Sequence, residues 1–366
     1  MEGCTAAREG RGDTPPMEIH VLDAMAREGF EQIIALHDRR SGLRAFLGLH
    51  DTSAGPAFGG IRRWQYRDER EALRDCLRLA AAMSQKTALA DLPAGGGKLV
   101  ALDLPGVDWE QGYAYLGREV ERLGGRFYTG PDVGTGEHEL AWMARETGYV
   151  TRPDEHGPGK LPESTAVGVF AGMGTALRLL DGEEDWSRRT VVVQGLGEVG
   201  ERLAKHLVRV GATVIASDID TDRAERVAEE LDIELVDPSR ELDVECDVFS
   251  PCAMGGIVHD LSLPRLRCRI VAGAANNILA RAEHGDRLHE RRILFVPDFI
   301  VNAGALIRGA IFHLEGRREE LVLIGERVAN ATRAVLDRAV QEGLPPARVA
   351  ALEAEDRLNT RRSQKE

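Results

Sequence analysis

Thr190-Val191-Val192-Val193-Gln194-Gly195-Leu196-Gly197-Glu198-Val199-Gly200 is the stretch whose reading decides the fold. Its first five residues read as a short buried strand, and G-x-G-x-x-G follows directly, opening a helical pattern from Glu201 to Val210. Strand, glycine loop and helix in that order form a dinucleotide-binding fingerprint. Gly195 permits the tight turn, Gly197 lets a pyrophosphate approach bare backbone, and Gly200 lets helix and strand pack closely. The helix N-terminus, with Glu198 and Val199 leading into it, turns unpaired N–H groups toward the phosphates. A second strand, Thr213 to Ser217, ends at Asp218, eighteen residues past Gly200. A carboxylate there holds a ribose 2′-hydroxyl and repels a 2′-phosphate, so NAD is the expected cofactor. The competing reading of the motif is a Rossmann-like turn that binds nothing.

Strand-like and helix-like runs alternate onward to about residue 310, as a doubly wound sheet requires. Upstream, Ser164 to Leu180 is helical in pattern, and Thr151 to Pro162, with its prolines and glycines, marks a linker. Before it, Ile33–Leu36 and Leu43–Leu49 flank the turn Asp38-Arg39-Arg40-Ser41-Gly42, which predicts an antiparallel pair. The expected architecture is α/β in two domains: an N-terminal α/β substrate domain with a mixed sheet, and a C-terminal Rossmann domain. The boundaries drawn are a disordered tail at 1–16, with Met17 an alternative start, a substrate and oligomerisation domain at 17–152, a cofactor domain at 153–330, and C-terminal helices at 331–366 packing back on the first domain.

Two lysines stand out in the first domain. From Arg67 to Thr87 apolar residues recur at three- and four-residue steps, predicting an amphipathic helix with Lys86 on the flank of its buried stripe. Lys98 follows Gly95-Gly96-Gly97 and precedes the strand-like Leu99–Leu102, which places it at a loop-to-strand junction. Held by different elements, the two converge on one pocket, where burial or a neighbouring cation lowers a lysine pKa toward neutrality. The bland reading is a tight turn carrying a solvated lysine.

With 60 acidic and 47 basic side chains the formal charge is −13, which opposes binding to a nucleic-acid backbone and leaves no polybasic patch for a membrane. No apolar run reaches the ~18 residues of a membrane span. Cys4, Cys76, Cys246, Cys252 and Cys268 lack the paired spacings of a zinc site or disulfide framework and read as reduced cysteines of a cytoplasmic protein, with no metal expected.

The chain also resembles the glutamate/leucine/phenylalanine/valine dehydrogenases, most closely the leucine and phenylalanine enzymes, from Met17 to about Arg338. The resemblance rests on Gly55-Pro56-Ala57-Phe58-Gly59-Gly60-Ile61-Arg62, Met83 to Lys86, Gly95 to Lys98, Gly130-Pro131-Asp132-Val133-Gly134-Thr135, Thr165 to Val169, the Gly195 loop, Ala274-Ala275-Asn276-Asn277 and Pro297 to Gly304. It implies reversible oxidative deamination of an L-amino acid in an interdomain cleft, and a homo-oligomer. Carried over residue by residue, Lys86 binds the substrate carboxylate with Gly59 and Gly60 seating it, Lys98 is the base that activates water, and Asp132 shuttles protons to the amine nitrogen. Thr165 meets the nicotinamide carboxamide, Ala274 and Asn276 belong to the cofactor loop, Asn277 faces the substrate, and Asn302 lines the cleft. Asp132 has an alternative as the cap of a helix near Gly136, Thr165 as an N-cap, and Asn277 as a turn residue.

The family's side-chain pocket positions fall on Gly130 and Leu306, both uncharged, which implies an apolar amino acid: leucine, valine, isoleucine or phenylalanine. Glycine with leucine is the phenylalanine-type pair, although a methyl's worth of space discriminates by only ~1 to 3 kcal/mol. The competing functions are a non-catalytic NAD-binding paralogue and a glutamate-type dehydrogenase.

Overall fold

The computed structural model describes residues 20–152 and 156–365, so the expected tail and Cys4 lie outside the described residues. After helix α1 (Val21–Glu28), the first sheet is built from β1 (Gln32–His37), β2 (Arg44–Asp51), β3 (Ala57–Trp64), β4 (Gly95–Leu102) and β5 (Phe127–Gly130), in the order β1-β2-β4-β3-β5. β1, β2 and β4 pair antiparallel, whereas β4, β3 and β5 pair parallel, giving a mixed sheet. Asp38 closes the first hairpin by accepting from the Ser41 N–H and hydroxyl at 3.0 and 2.7 Å.

Helix α2 (Glu69–Leu89) starts at Asp68, whose carboxylate accepts from the Glu71 N–H at 2.8 Å, a cap worth ~1 kcal/mol. It buries Leu73, Cys76, Leu77, Ala80 and Ser84 against the sheet, while α3 (Trp109–Arg122) and α4 (Glu137–Ala144) cover the opposite face around Leu43, Leu99, Tyr113 and Phe127.

One expectation is corrected here. β4 runs through Gly95, Gly96 and Gly97, none of which has a positive φ, so these glycines are strand and not loop. A Cβ on Gly96 would collide with the backbone nitrogen of Ser84 on α2, and one on Gly95 with the Asp51 carbonyl on β2. The glycines therefore allow close packing rather than a turn, and Lys98 sits within the strand.

Beyond α5 (Leu161–Asp181) come β6 (Thr190–Gln194), α6 (Gly200–Arg209), β7 (Thr213–Ser217), α7 (Thr221–Leu231), β8 (Glu234–Leu235), β9 (Cys246–Pro251), β10 (Cys268–Val271), α8 (Glu283–Glu290) and β11 (Leu294–Phe295). All their strand pairings are parallel, in the order β8-β7-β6-β9-β10-β11, the Rossmann arrangement. The order reverses at β6 and β9, and the crevice above that point is where such sheets take ligands.

Helices α9 (Asp298–Val301), α10 (Gly304–Glu315), α11 (Leu321–Glu342) and α12 (Pro346–Lys365) complete the chain. The boundary drawn at 330/331 falls inside α11, because the break in helix occurs earlier, at Gly316 with φ 69°. The boundary at 152/153 adjoins residues 153–155, which lie outside the described residues. α12 ties the two sheets together: Arg357 and Arg361 donate to the carbonyls of Ala88 and Ala94, Arg362 pairs with Asp51 at 2.6 Å, and Arg348 pairs with Asp286 of α8 at 2.6 Å.

Candidate active site

Between the two sheets lies a cavity of about 600 Å³. β3 contributes Gly59, Gly60 and Arg62, α2 contributes Lys86, β4 contributes Lys98, and Gly130 and Asp132 come from the end of β5. The other sheet supplies Val199, Ala274, Asn276, Asn277 and Asn302, with Thr165 from α5 and Leu306 from α10.

Asp132 is the electrostatic centre. Its Oδ2 lies 2.7 Å from Lys98 Nζ and 3.2 Å from Arg62 Nε. Burial alone would raise its pKa, but Lys98 and Arg62 outweigh that and hold the carboxyl at about 2. The helix-cap alternative fails: α4 begins at Gly136, whose N–H donates to Glu139 at 2.9 Å, while Asp132 turns its side chain inward. Bare backbone makes the approach possible, since a Cβ on Gly60 would press on the Pro131 carbonyl and one on Gly59 would collide with the Gly97 carbonyl.

Lys86 reaches the cleft from the last turn of α2, its Nζ 3.4 Å from Asn276 Oδ1. Desolvation lowers its pKa to about 8; Asp298 opposes that shift and Lys98 adds to it. Asn277 has φ 54°, a left-handed conformation that asparagine tolerates, and its N–H donates to the buried Asp298 Oδ2 at 2.7 Å. The turn reading thus describes its backbone, while its side chain borders the cavity. Thr165 is no N-cap: α5 is capped at Lys160, and Thr165 lies a turn further in, its hydroxyl on the Leu161 carbonyl at 3.4 Å.

A second cavity, of about 290 Å³, lies beside the glycine loop and is lined by Gln194, Gly195, Ser217 and Asp218. Gly195 has φ 89°, a Cβ on Gly197 would meet open space, and one on Gly200 would strike the Gly195 carbonyl. These are the three conditions that a turn, a pyrophosphate and close packing set in that order. The Glu198 carboxylate pairs with Arg202 at 2.8 Å at the surface, which leaves its backbone for the loop. Asp218 accepts from the Leu196 N–H at 2.7 Å and faces Arg223 at 3.4 Å, but Arg223 is also bound by Asp220 at 2.9 Å, which leaves the mouth acidic.

The cleft fits a dinucleotide on a further ground. Gln194 Oε1 and Asn302 Oδ1, one at each cavity, are buried side-chain acceptors without a protein partner. Such oxygens cost ~1 to 3 kcal/mol unless a donor arrives, and a nicotinamide carboxamide and a ribose or adenine each carry one.

Arg62 and Asp298 had no role in the sequence reading, although both stand inside quoted motifs. Alternation along β3 was the missed signal for Arg62, which shares a sheet face with Gly60. Ile61 is buried in the core on the opposite face, and Arg63 stacks on Trp109 at 4.7 Å, so neither lines the cavity.

Two family models match the chain. Residues 31–149 match the Glu/Leu/Phe/Val dehydrogenase dimerisation domain, and residues 157–221 and 218–315 match the glutamate/leucine/phenylalanine/valine dehydrogenase model. The chain is 38% identical to a leucine dehydrogenase of Thermoactinomyces intermedius, covering 93% of this chain and 94% of that one. It is 41% identical to a phenylalanine dehydrogenase of the same organism, covering 94% of each. Among solved structures, an L-tryptophan dehydrogenase from Nostoc punctiforme superposes with a TM-score of 0.82 at 32% identity, covering 94% of this chain and 100% of that one.

Proposed function

The chain belongs to the glutamate/leucine/phenylalanine/valine dehydrogenases, oxidoreductases acting on the CH–NH2 group, and from that premise we propose NAD-dependent reversible oxidative deamination of an apolar L-amino acid. The products are the 2-oxo acid, ammonium and NADH. The observation that carries this reading is the convergence of Lys86, Lys98 and Asp132 on one cavity that also meets Thr165, Asn276 and Asn302.

Lys86 holds the substrate carboxylate over the bare backbone of Gly59 and Gly60, which orients the α-carbon toward the other sheet. Asp132, ionised at working pH, receives the amine nitrogen and takes up its proton. Thr165 and Asn302 would hold the nicotinamide ring, which would supply the hydride acceptor for that carbon. Lys98, once its own proton has left, takes a proton from the water that attacks the imino carbon, Asp132 returns a proton to the amine nitrogen so that the C–N bond breaks and ammonium leaves, and at 2.7 Å the two groups exchange protons without movement of heavy atoms. A substrate ammonium entering beside Lys86, Lys98 and Arg62 adds positive charge, which favours release of one proton from the cluster.

The side-chain end of the cavity supports an apolar substrate. Arg62, Lys86 and Lys98 are its only lining cations among the described residues, and Gly130 and Leu306 bring none to the other end. His313 stands behind that end, but burial holds its pKa at about 4, leaving it neutral and no match for a side-chain carboxylate. The test is NADH formation across the L-amino acids with NAD and with NADP. Turnover is expected for leucine, valine, isoleucine or phenylalanine with NAD at least tenfold better; turnover of glutamate alone, or none at all, overturns the proposal.

Lys86 sets a pH dependence. It is cationic below about 8 and loses its charge above, so a carboxylate without an amine, such as 3-phenylpropanoate, is expected to inhibit well at pH 7 and progressively less above pH 8. Inhibition constants flat from pH 7 to 10 would contradict the anchor role.

We also place the protein in the cytoplasm as a homo-oligomer. Cys76, Cys246, Cys252 and Cys268 are free thiols, no described helix is long and apolar enough to cross a membrane, and among the described residues β1 is an edge strand of the region matching a dimerisation domain.

A further inference from the structure

The end of the large cavity near Gly130 also carries polar side chains. Thr151, buried and between two positions that carry no side chain, borders the cavity with Gly130 and Gly309. A Cβ on Gly130 would come within 3.2 Å of the Thr151 Cβ, and one on Gly309 within 3.6 Å of its Cγ2. The space in front of this threonine exists because both neighbours are glycine. Phe58 and Tyr128, stacked on each other at 4.9 Å and 6°, also line the cavity and offer aromatic contact to a ring.

The threonine hydroxyl is held from behind. His313 Nε2 lies 3.1 Å from Thr151 Oγ1, and the imidazole packs 4.7 Å from the Tyr128 ring. A hydroxyl has one proton and two lone pairs, and the imidazole uses one of these sites. Whichever tautomer His313 adopts, at least one lone pair of Oγ1 is left to a donor arriving from the cavity. Burial keeps His313 uncharged, so the pair offers an oriented acceptor and not a cation.

We infer that this pocket selects an aromatic L-amino acid whose ring edge carries a hydrogen-bond donor, a phenol O–H or an indole N–H, with Thr151 as the acceptor and His313 as the positioning residue. The inference rests on the amino acid dehydrogenase reading of the same cavity. A plain hydrocarbon side chain leaves the remaining lone pair of a buried oxygen unpaired, whereas a donor at the ring edge satisfies it, and sites that bind a substrate N–H or O–H discriminate strongly against analogues lacking it.

The test is kcat/KM for leucine, phenylalanine, tyrosine and tryptophan in the wild-type protein and in Thr151→Val, Thr151→Ser and His313→Phe. Tyrosine or tryptophan is expected to exceed phenylalanine, and which of the two does so identifies the donor. Thr151→Val is expected to cut that ratio by about tenfold or more, Thr151→Ser to keep it, and His313→Phe to lower it by loosening the hydroxyl. A ratio unchanged in Thr151→Val, or phenylalanine preferred over both donors in the wild type, overturns the inference and leaves the dehydrogenase reading standing. Turnover of none of the four, nor of valine or isoleucine, overturns both.

Discussion

Replacing Lys98 by alanine is expected to lower kcat by about 10²- to 10⁴-fold, the range lost when a positioned general base is removed. Cofactor affinity should stay within a few-fold of wild type, because Lys98 stands on β4 of the first sheet and the glycine loop follows β6 of the second. The fold should survive: Asp132 keeps Arg62 at 3.2 Å, so the deletion does not strand a buried carboxylate. Added methylamine, able to enter the space left by the side chain, is expected to restore part of the rate in proportion to its free-base concentration. A variant within tenfold of wild-type kcat, with unchanged cofactor binding, would remove Lys98 from the proposed chemistry.

The second large effect concerns a residue that touches no substrate. Gly96→Ala is expected to destabilise the protein by about 3 kcal/mol or more, since its Cβ has no room between β4 and α2. The atoms it meets are the backbone nitrogen and Oγ of Ser84, and Ser84 is itself held by His50 Nδ1 at 2.8 Å. Backbone within a helix cannot swing aside as a side-chain tip can, so α2 as a whole must move away. Lys86 rides on that helix one half-turn further on, and the proposed carboxylate anchor is displaced with it. The expected signature is a midpoint of thermal unfolding lower by roughly 5–10 °C together with a raised KM for the amino acid. Gly148→Ala is the control, because a Cβ there meets nothing within 4 Å. A Gly96→Ala protein with wild-type melting and KM would show that the glycines are not packing residues.

Legibility in the sequence followed the range of the forces involved. The turn at Asp38, the α2 stripe, the βα unit around Gly195 and the alternation after it depend on neighbours a few residues away, and all were readable. Gly95-Gly96-Gly97 misled for the same reason. Three successive glycines suggest a turn when only local backbone freedom is weighed, but the atoms that exclude their Cβ groups belong to Asp51, Ser84 and Gly48, which are distant in sequence.

By itself the sequence determined two α/β units, the second of Rossmann type, because periodicity, turn formation and motif spacing are local, and its resemblance to the family singled out Lys86, Lys98 and Asp132 as candidates. Only the tertiary structure decided how those groups are charged and what stands behind them. Asp132 is held near 2 by Lys98 and by Arg62, the latter 70 residues away, and the Thr151 hydroxyl is met by His313, 162 residues away. Coulombic and hydrogen-bond energies depend on distance and burial in space, and neither quantity is written in the spacing of residues along the chain.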